Sequence, residues 1–331
     1  MFLILAAPDD LHADSVIYYL KKQQARVARL DPSQTLDADG GIRVTLQAGC
    51  SELRLPGGTI VRADDIAGIY CRNFSFPKAK PDAPIAEHLA MAESRTALQG
   101  FCHSASRARW VNNPWREAEV DNKILQHSHA AVLGLTIPDT LVTNDAAALR
   151  AFYQKHQANI IIKQMSDLCL IEEEPFSHPD GRPDCKVYGF YTHRVTEADL
   201  AAADDILRSG ASPCLFQEEI PKKAELRVTV VGNRWFAHRI DSQSTPAARV
   251  DFRQVPELPV KETTIPDALG ETLVRLIRSW GLVFAACDIV ETPSGGHVFL
   301  EANVCGNWLW LEEGEESPIA ECIAAYLLGK V

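Results

Sequence analysis

The stretch GLVFAACDIVETPSGGHVFLEAN, residues 281 to 303, constrains this chain more than any other. Two apolar runs flank Pro293 to Gly296, whose proline and glycines read as the loop of an antiparallel hairpin. A four-residue loop pairs Thr292 with His297 and Glu291 with Val298, and the same register sets Asp288 directly opposite Glu301. Opposite residues share a face with Cβ atoms about 5 Å apart, and Asn303, two residues on, joins them there. By the same alternation Phe284, Ala286 and Phe299 lie on that face, so it is not simply solvated surface. Two carboxylates held so close repel each other and lose hydration, and something positive is expected between them. An ion pair with lysine or arginine is one answer. A hard divalent cation is the other: two acids and an amide carbonyl, with positions left for water and phosphate oxygens, suit magnesium.

The rest of the chain narrows the function classes. Its 331 residues, 46% hydrophobic and 23% charged, are ordinary for a globular protein and enough for two or three domains. A net charge of −11 disfavours unspecific binding to nucleic acid or anionic membrane, since both need a positive surface. The opening MFLILAA lacks a preceding basic segment and ends at Pro8, Asp9 and Asp10, so it reads as a buried strand rather than a signal peptide. No apolar run approaches the roughly 20 residues of a membrane span, and a cytoplasmic location is expected. The cysteines, at 50, 71, 102, 169, 185, 214, 287, 305 and 322, are odd in number and lack any C-x-x-C spacing, which argues against a disulfide framework and a structural zinc site.

Strand 2–7, helix 10–24 and strand 26–30 form a βαβ-like opening without G-x-G-x-x-G, so it reads as architecture rather than a dinucleotide site. A strand at 68–74, a proline-rich loop at 77–84 and a helix at 85–105 complete a first domain, 1–110. A second, 111–212, holds a helix ending at Gly134, a helix at 145–156, a strand at 159–164, a mobile loop or hairpin tip at 172–184, a strand at 187–195 and a helix at 197–208. The third, 213–331, holds the strand at 214–220, two strands over 225–240 turning at Gly232-Asn233, a helix at 267–280, strands 283–290 and 297–303, and a helix near 317–328. The sum is α+β with an α/β start.

Basic side chains stand where phosphate could meet the acids: Lys123 on a helix, Lys163 at the end of NIIIK, and Arg227 within ELRVTVVG. A surface charge is the competing reading for each. Arg227 is the strongest, because it shares one face of its strand with Glu225 while Leu226, Val228 and Val230 take the other, and its guanidinium could hold phosphate bidentately. LFQEEI, 215–220, is an apolar strand turning acidic before Pro221, where backbone groups could recognise an adenine. Trp308 and Trp310 are expected in core or domain packing.

Taken in order, Lys123, Lys163, QEEI, ELRVTVVG, Asp288 and FLEAN resemble the ATP-grasp superfamily of carboxylate ligases, and within it the graspetide synthetases, the microviridin-type peptide macrocyclases. VNNPWREAEVDNKILQHSHAAVLGLTIPDTLVTN (111–144), FQEEIPKKAELRVTVVGNRWFAHRIDSQ (216–243) and VFLEANVCGNWLWLE (298–312) carry the likeness. It implies an ATP-grasp fold: an N-terminal pre-ATP-grasp, Rossmann-like domain, a central α+β lid domain and a C-terminal α+β domain, with ATP between the last two. Carried over residue by residue, it implies ATP contacts at Lys123, Lys163, Gln217, Glu218, Ile220 and Glu225, phosphate contact and a catalytic role for Arg227, and magnesium, two ions, at Asp288, Glu301 and Asn303. Arg72, His238, Arg239 and Arg253 are weaker candidates for holding an acidic substrate. The implied reaction is ADP-forming activation of a carboxylate, giving ω-ester or ω-amide links in an acidic precursor peptide with a leader. A ligase acting on a small acidic substrate, and a non-catalytic nucleotide-binding protein, stay open. The resemblance also admits a homodimer. Two positions depart from the family pattern: Val304 replaces its proline and Asn307 its glutamine.

Overall fold

The computed structural model describes residues 1–32, 44–47, 50–55, 58–72, 82–165, 170–177, 183–188, 191–208, 212–255, 257–312 and 317–331. Most of the expected proline-rich loop (77–81) and the tip of the expected hairpin (178–182) lie outside them.

The chain opens with β1 (Phe2–Leu5), α1 (Leu11–Lys22) and β2 (Val27–Leu30). Asp10 caps α1 by accepting Ala13 N at 2.8 Å, and Lys21 and Lys22 occupy its last turn, where they complement the helix dipole. Three short strands that the sequence reading passed over, β3 (Val44–Gln47), β4 (Cys50–Arg54) and β5 (Ile60–Arg62), form a separate antiparallel sheet. Next come β6 (Gly68–Cys71), α2 (Ile85–Ser104) and β7 (Arg109–Val111), giving a parallel sheet of order β2-β1-β6-β7.

The helix expected to run up to Gly134 is two helices, α3 (Pro114–Val120) and α4 (Lys123–Val132). Asn122 breaks the run: its side chain accepts Leu125 N at 3.1 Å and starts a new helix, so that Lys123 falls in the first turn. After α4 the chain forms β8 (Thr140–Thr143), α5 (Ala146–Lys155), β9 (Ile160–Lys163), the hairpin β10 (Leu170–Ser177) and β11 (Pro183–Tyr188), β12 (His193–Arg194), α6 (Glu197–Arg208) and β13 (Cys214–Glu218). Instead of one strand over 187–195, then, two strands pair with different partners: β11 with β10, and β12 with β9. The sheet here runs β12-β9-β13-β8, all antiparallel.

The last sheet is antiparallel, of order β16-β15-β14-β17-β18, from β14 (Ala224–Val231), β15 (Arg234–Ile240), β16 (Val260–Thr263), β17 (Phe284–Glu291) and β18 (His297–Asn303). A two-residue turn joins β14 to β15, with Gly232 at φ 63°, a left-handed conformation that costs glycine little. Between β16 and β17 lies α7 (Asp267–Ser279), whose buried stripe of Leu273, Val274, Leu276 and Ile277 packs with Trp280 on one face of the sheet, against Leu226, Val228, Ala285, Cys287 and Phe299. The lower part of the other face, with Phe236, Phe284 and Ala286, shares a core with Trp308, α1, and α8 (Ile319–Leu327). Trp308 is fully buried in that core, as expected, while Trp310 is only partly covered at its edge and also lines a cleft above this face. Among the described residues Cys71, Cys102, Cys214, Cys287, Cys305 and Cys322 are free thiols, and no helix is long and apolar enough to cross a membrane.

Candidate active site

The upper part of that second face, which would otherwise be solvent-exposed sheet, forms one wall of a cleft with a volume of about 790 Å³; β9, β13 and the loop after β13 form the opposite wall. On the sheet wall the hairpin β17–β18 presents Asp288, Glu301 and Asn303 together. Asp288 does pair with Glu301, although the register at the turn differs from expectation: Glu291 pairs with His297, and Ile289 with Phe299. The loop is one residue shorter than expected, because Thr292 closes on Gly296 (Thr292 N donates to the Gly296 carbonyl at 2.9 Å and Thr292 Oγ1 accepts Gly296 N at 2.9 Å), and a bulge at Leu300, one extra residue in β18, then restores the offset. Leu300 and Glu301 both line the cleft as a result, and Phe299 packs on the α7 side with Ala302 instead of beside the acids.

β18 is an edge strand, yet its outer edge is capped. Gln126 on α4, 2% exposed, donates from Nε2 to the carbonyl of Ala302 (3.0 Å) and accepts Ala302 N on Oε1 (2.9 Å). His127 lies 2.6 Å from the Leu300 carbonyl, and Phe299 N donates to the Thr136 carbonyl at 2.8 Å. The backbone on both sides of Glu301 is thereby held. Gln126 stands in the stretch 111–144 that carries the family likeness, but the sequence reading gave no role to it or to His127; a pair of polar residues on the apolar face of a helix was the available signal.

Each acid faces a cation. Arg227 Nη1 donates to Asp288 Oδ1 at 2.8 Å, and Lys123 Nζ lies 3.2 Å from Glu301 Oε2. Burial, helped by the charge on Glu301, raises the Asp288 pKa against the pull of Arg227. Burial also works to raise Glu301, but the charges on Lys123 and Lys163 outweigh it and hold that carboxyl below its usual value. Burial in turn lowers the Lys163 ammonium, with Glu301 opposing. The two neighbouring carboxyls are thus pushed in opposite directions, Asp288 up by burial and Glu301 down by the lysines.

The remaining expected residues fall in two groups. Gln217, Glu218, Ile220, Glu225 and Lys163 line the cleft with Lys123 and Arg227. Glu218 Oε1 accepts Asp139 N at 2.9 Å, Gln217 Nε2 donates to Thr140 Oγ1 at 3.0 Å, and Lys222, which the sequence reading missed, reaches Glu225 Oε1 at 2.9 Å. Of the four weaker candidates, Arg253 alone lines the cleft, fork-paired to Asp251 (Nε to Oδ1 2.8 Å, Nη2 to Oδ2 2.6 Å). Arg239 is ion-paired with Glu291 outside the cleft lining, His238 is fully buried with Nε2 2.9 Å from Ser317 Oγ, and Arg72 is 3% exposed, bonded to the loop after β18. In strands an alternate-residue pattern cannot tell a cleft-facing arginine from one on the far side of the sheet.

Among the described residues no group of three or more His, Cys, Asp or Glu side chains gathers as a self-sufficient metal site. The oxygen-only set of Asp288, Glu301 and Asn303 still fits a hard divalent ion that keeps water and substrate oxygens in its shell, magnesium above all. With Lys123, Lys163 and Arg227 lining the same cleft, these residues offer both signs of charge, the combination that a metal-bound polyphosphate would require.

No protein-family model and no curated protein matches this sequence. Solved structures do. An RiPP-associated ATP-grasp ligase of Chryseobacterium gregarium, in complex with ADP and a leader and core peptide, is 27% identical over 100% of this chain and 97% of that one, with a TM-score of 0.83. Macrocyclase MdnC of Microcystis aeruginosa MRC, bound with precursor peptide MdnA, is 25% identical over 100% and 99%, at 0.81. Macrocyclase MdnB of the same organism is 29% identical over 99% and 98%, at 0.75. In fold, and over its whole length, the chain is a graspetide-synthetase-like protein of the ATP-grasp superfamily.

Proposed function

We propose that this chain is an ADP-forming ligase that activates side-chain carboxylates of a ribosomally made, acidic precursor peptide and closes them into ω-ester or ω-amide macrocyclic links. The observation that carries the reading is the cleft itself: Asp288, Glu301 and Asn303 stand with Lys123, Lys163 and Arg227 on the walls of one 790 Å³ space whose other side is Gln217 to Ile220. In this reading residues 1–110 form the pre-ATP-grasp domain, 111–212 the lid and 213–331 the domain that carries the metal donors.

Backbone groups at 218–220 take the adenine edge, Glu225 the ribose side, and Lys123 and Lys163 the phosphates. Arg227 exchanges Asp288 for the phosphoryl group being transferred and meets the charge that spreads over its oxygens. A peptide carboxylate oxygen bonds to the γ-phosphorus as the bond to the β–γ bridging oxygen breaks, releasing ADP. A hydroxyl or amine of the same peptide then attacks the acyl carbon, loses its proton and expels phosphate. Magnesium, when bound at Asp288, Glu301 and Asn303, supplies charge neutralisation between the phosphates. Positioning and electrostatics therefore do the work. Arg253, at the cleft, is placed to meet the incoming carboxylate once Asp251 releases it.

Incubating the protein with ATP, magnesium and the acidic peptide encoded beside its gene, followed by mass spectrometry, tests this. Loss of one water per link with matching ADP release is expected. A mass gain instead assigns the chain to ligation of a free amine, and no ADP release with any acidic peptide or amino acid refutes catalysis.

A further inference from the structure

The loop after Asn303 is held by side chains from the N-terminal sheet. Asn112, directly after β7, donates from Nδ2 to the carbonyls of Phe284 (2.8 Å) and Val304 (2.9 Å) and accepts Val283 N (2.9 Å) and Phe284 N (3.0 Å) on Oδ1. Arg72, directly after β6, donates from Nη1 to the carbonyls of Cys305 and, at 3.5 Å, Gly306, with Cys305 Sγ 3.3 Å away; its Nη2 donates to Asn307 Oδ1. Behind it the Asp10 carboxylate lies 3.6 Å from Nε. Three successive carbonyls, 304 to 306, are therefore bound by two side chains that stand 192 to 234 positions earlier in the sequence.

On its other side the same loop touches the catalytic wall. Asn307 O accepts from Arg227 Nη2 at 3.4 Å, while Arg227 Nη1 stays on Asp288. Gly306 presses flat on β17, where an added Cβ would stand 2.7 Å from Ala286 Cβ, so the loop has no slack in that direction. A guanidinium that is 3% exposed must satisfy its donors inside the protein, and its planar fork can hold neighbouring acceptors at fixed spacing in a way an ammonium cannot.

We propose that Arg72 is a positioning residue: through Asn307 it sets the loop that steadies Arg227 against Asp288, so the N-terminal sheet fixes the geometry of the phosphate and cation wall. The inference rests on the ligase reading above and deepens it. Arg72 lies outside the cleft lining and its bonds go to Cys305, Gly306, Asn307 and Asp10 rather than to Asp288, Glu301 or Asn303, and Asn307, where the chain departs from the family pattern, keeps the amide oxygen that the guanidinium needs.

Arg72→Lys and Asn307→Leu test it in the full chain, with Mn²⁺ as the metal probe. Both variants are expected to weaken Mn²⁺ binding in saturating ADP by about tenfold, to leave ADP binding without metal within about threefold, and, combined, to cost little more than the worse single change, as residues acting through one contact do. Amide exchange should quicken at 303–311 and not elsewhere. Should Arg72→Lys exchange faster throughout, its fold is damaged and Asn307→Leu, which keeps Arg72, decides. Wild-type binding of Mn²⁺ with ADP alongside unchanged affinity in the deciding variant overturns the inference and leaves the ligase reading standing. A wild-type protein that binds no Mn²⁺ with ADP overturns both.

Discussion

The cap on β18 makes a quantitative prediction. Gln126→Leu keeps the size and burial of the side chain but removes three hydrogen bonds: to the carbonyls of Val120 (3.0 Å) and Ala302 (3.0 Å), and from Ala302 N (2.9 Å). The position is 2% exposed, so water cannot replace them. At about 1 kcal/mol each, and more where a buried group stays unsatisfied, the loss is roughly 3 kcal/mol. Because 1.4 kcal/mol is a factor of ten, this corresponds to about a hundredfold. A 331-residue chain with several sheets does not have one well-defined unfolding free energy, so the useful assay is local. Native-state amide exchange at Ala302, whose N–H bonds Gln126 directly, should speed by about that hundredfold, with a smaller gain at Phe299 and none in β14. Divalent-cation affinity should fall with it, since Glu301 and Asn303 flank the released residue. Ala302 protection within about threefold of wild type would refute the claim that Gln126 closes this edge.

Three further outcomes follow from the same geometry. Glu301→Gln removes one donor and leaves Lys123, 3.2 Å away, against a neutral amide; metal-dependent ADP release should drop by about a hundredfold or more, and full retention would sink the metal assignment. Gly306→Ala drives a Cβ to 2.7 Å from Ala286 Cβ and 3.0 Å from Asn303 Cβ, so Mn²⁺ affinity should fall and native-state amide exchange at 303–311 should quicken by the equivalent of about 1–3 kcal/mol; unchanged exchange there shows that the loop can yield. Glu117 is pushed up to about 7 by burial, against a hydrogen bond with Asn112 and the charge on Arg72. Its folded-state value lies above the unfolded one, so the native state holds the proton more tightly; that stabilisation is full below about pH 4.5 and is lost as pH rises through about 7. The local stability of α3 in wild type relative to Glu117→Gln, read by native-state amide exchange corrected for the intrinsic rate, should therefore decline across that window, by roughly 3 kcal/mol in all, and a flat difference contradicts the buried, protonated acid.

Local patterns in the sequence were informative wherever the decisive interaction was local. The buried stripe of α7, the β14–β15 turn at Gly232 and the alternation of Leu226, Val228 and Val230 against Glu225 and Arg227 all depend on neighbours within a turn or two. The facing of Asp288 and Glu301 came out as expected through two shifts that cancel, a loop shorter by one residue and an extra residue in β18 at the Leu300 bulge. Phe299 shows the difference: it lies after the loop but before the bulge, so it appears on the face opposite to the one alternation assigns. A Thr292 hydroxyl binding a backbone N–H and an extra residue in one strand leave no mark on hydrophobic periodicity. The roles of Gln126, Asn112 and Arg72, the last expected at the substrate, were illegible for another reason. Their distant partners are mainly backbone carbonyls 172 to 234 residues away, and a carbonyl has no side-chain identity to read.

That last point bears on the two positions where this chain departs from the family pattern. A substitution matters here by what the backbone and its clamps require, and each position meets a separable requirement. Val304 is 5% exposed and packs in the α7-side core, while its carbonyl is taken by Asn112; apolar bulk and an acceptor are what the site uses, and valine brings both. Asn307 must bring an amide oxygen to Arg72 while its own carbonyl turns to Arg227 and Trp310. A glutamine would carry the same oxygen one methylene further out. Because Gly306 already sits against Ala286, that extra length has to be absorbed by the guanidinium side of the contact, by movement of Arg72 and the end of β6. The shorter amide and the position of Arg72 therefore belong together. Asn307→Gln should loosen the clasp more than its chemistry suggests, and should show it first as faster exchange at 303–311 and weaker Mn²⁺ binding rather than as a loss of ADP affinity. Equal exchange and equal Mn²⁺ affinity in that variant would mean that the clasp adapts to either amide, and that the departure from the family pattern has no structural consequence.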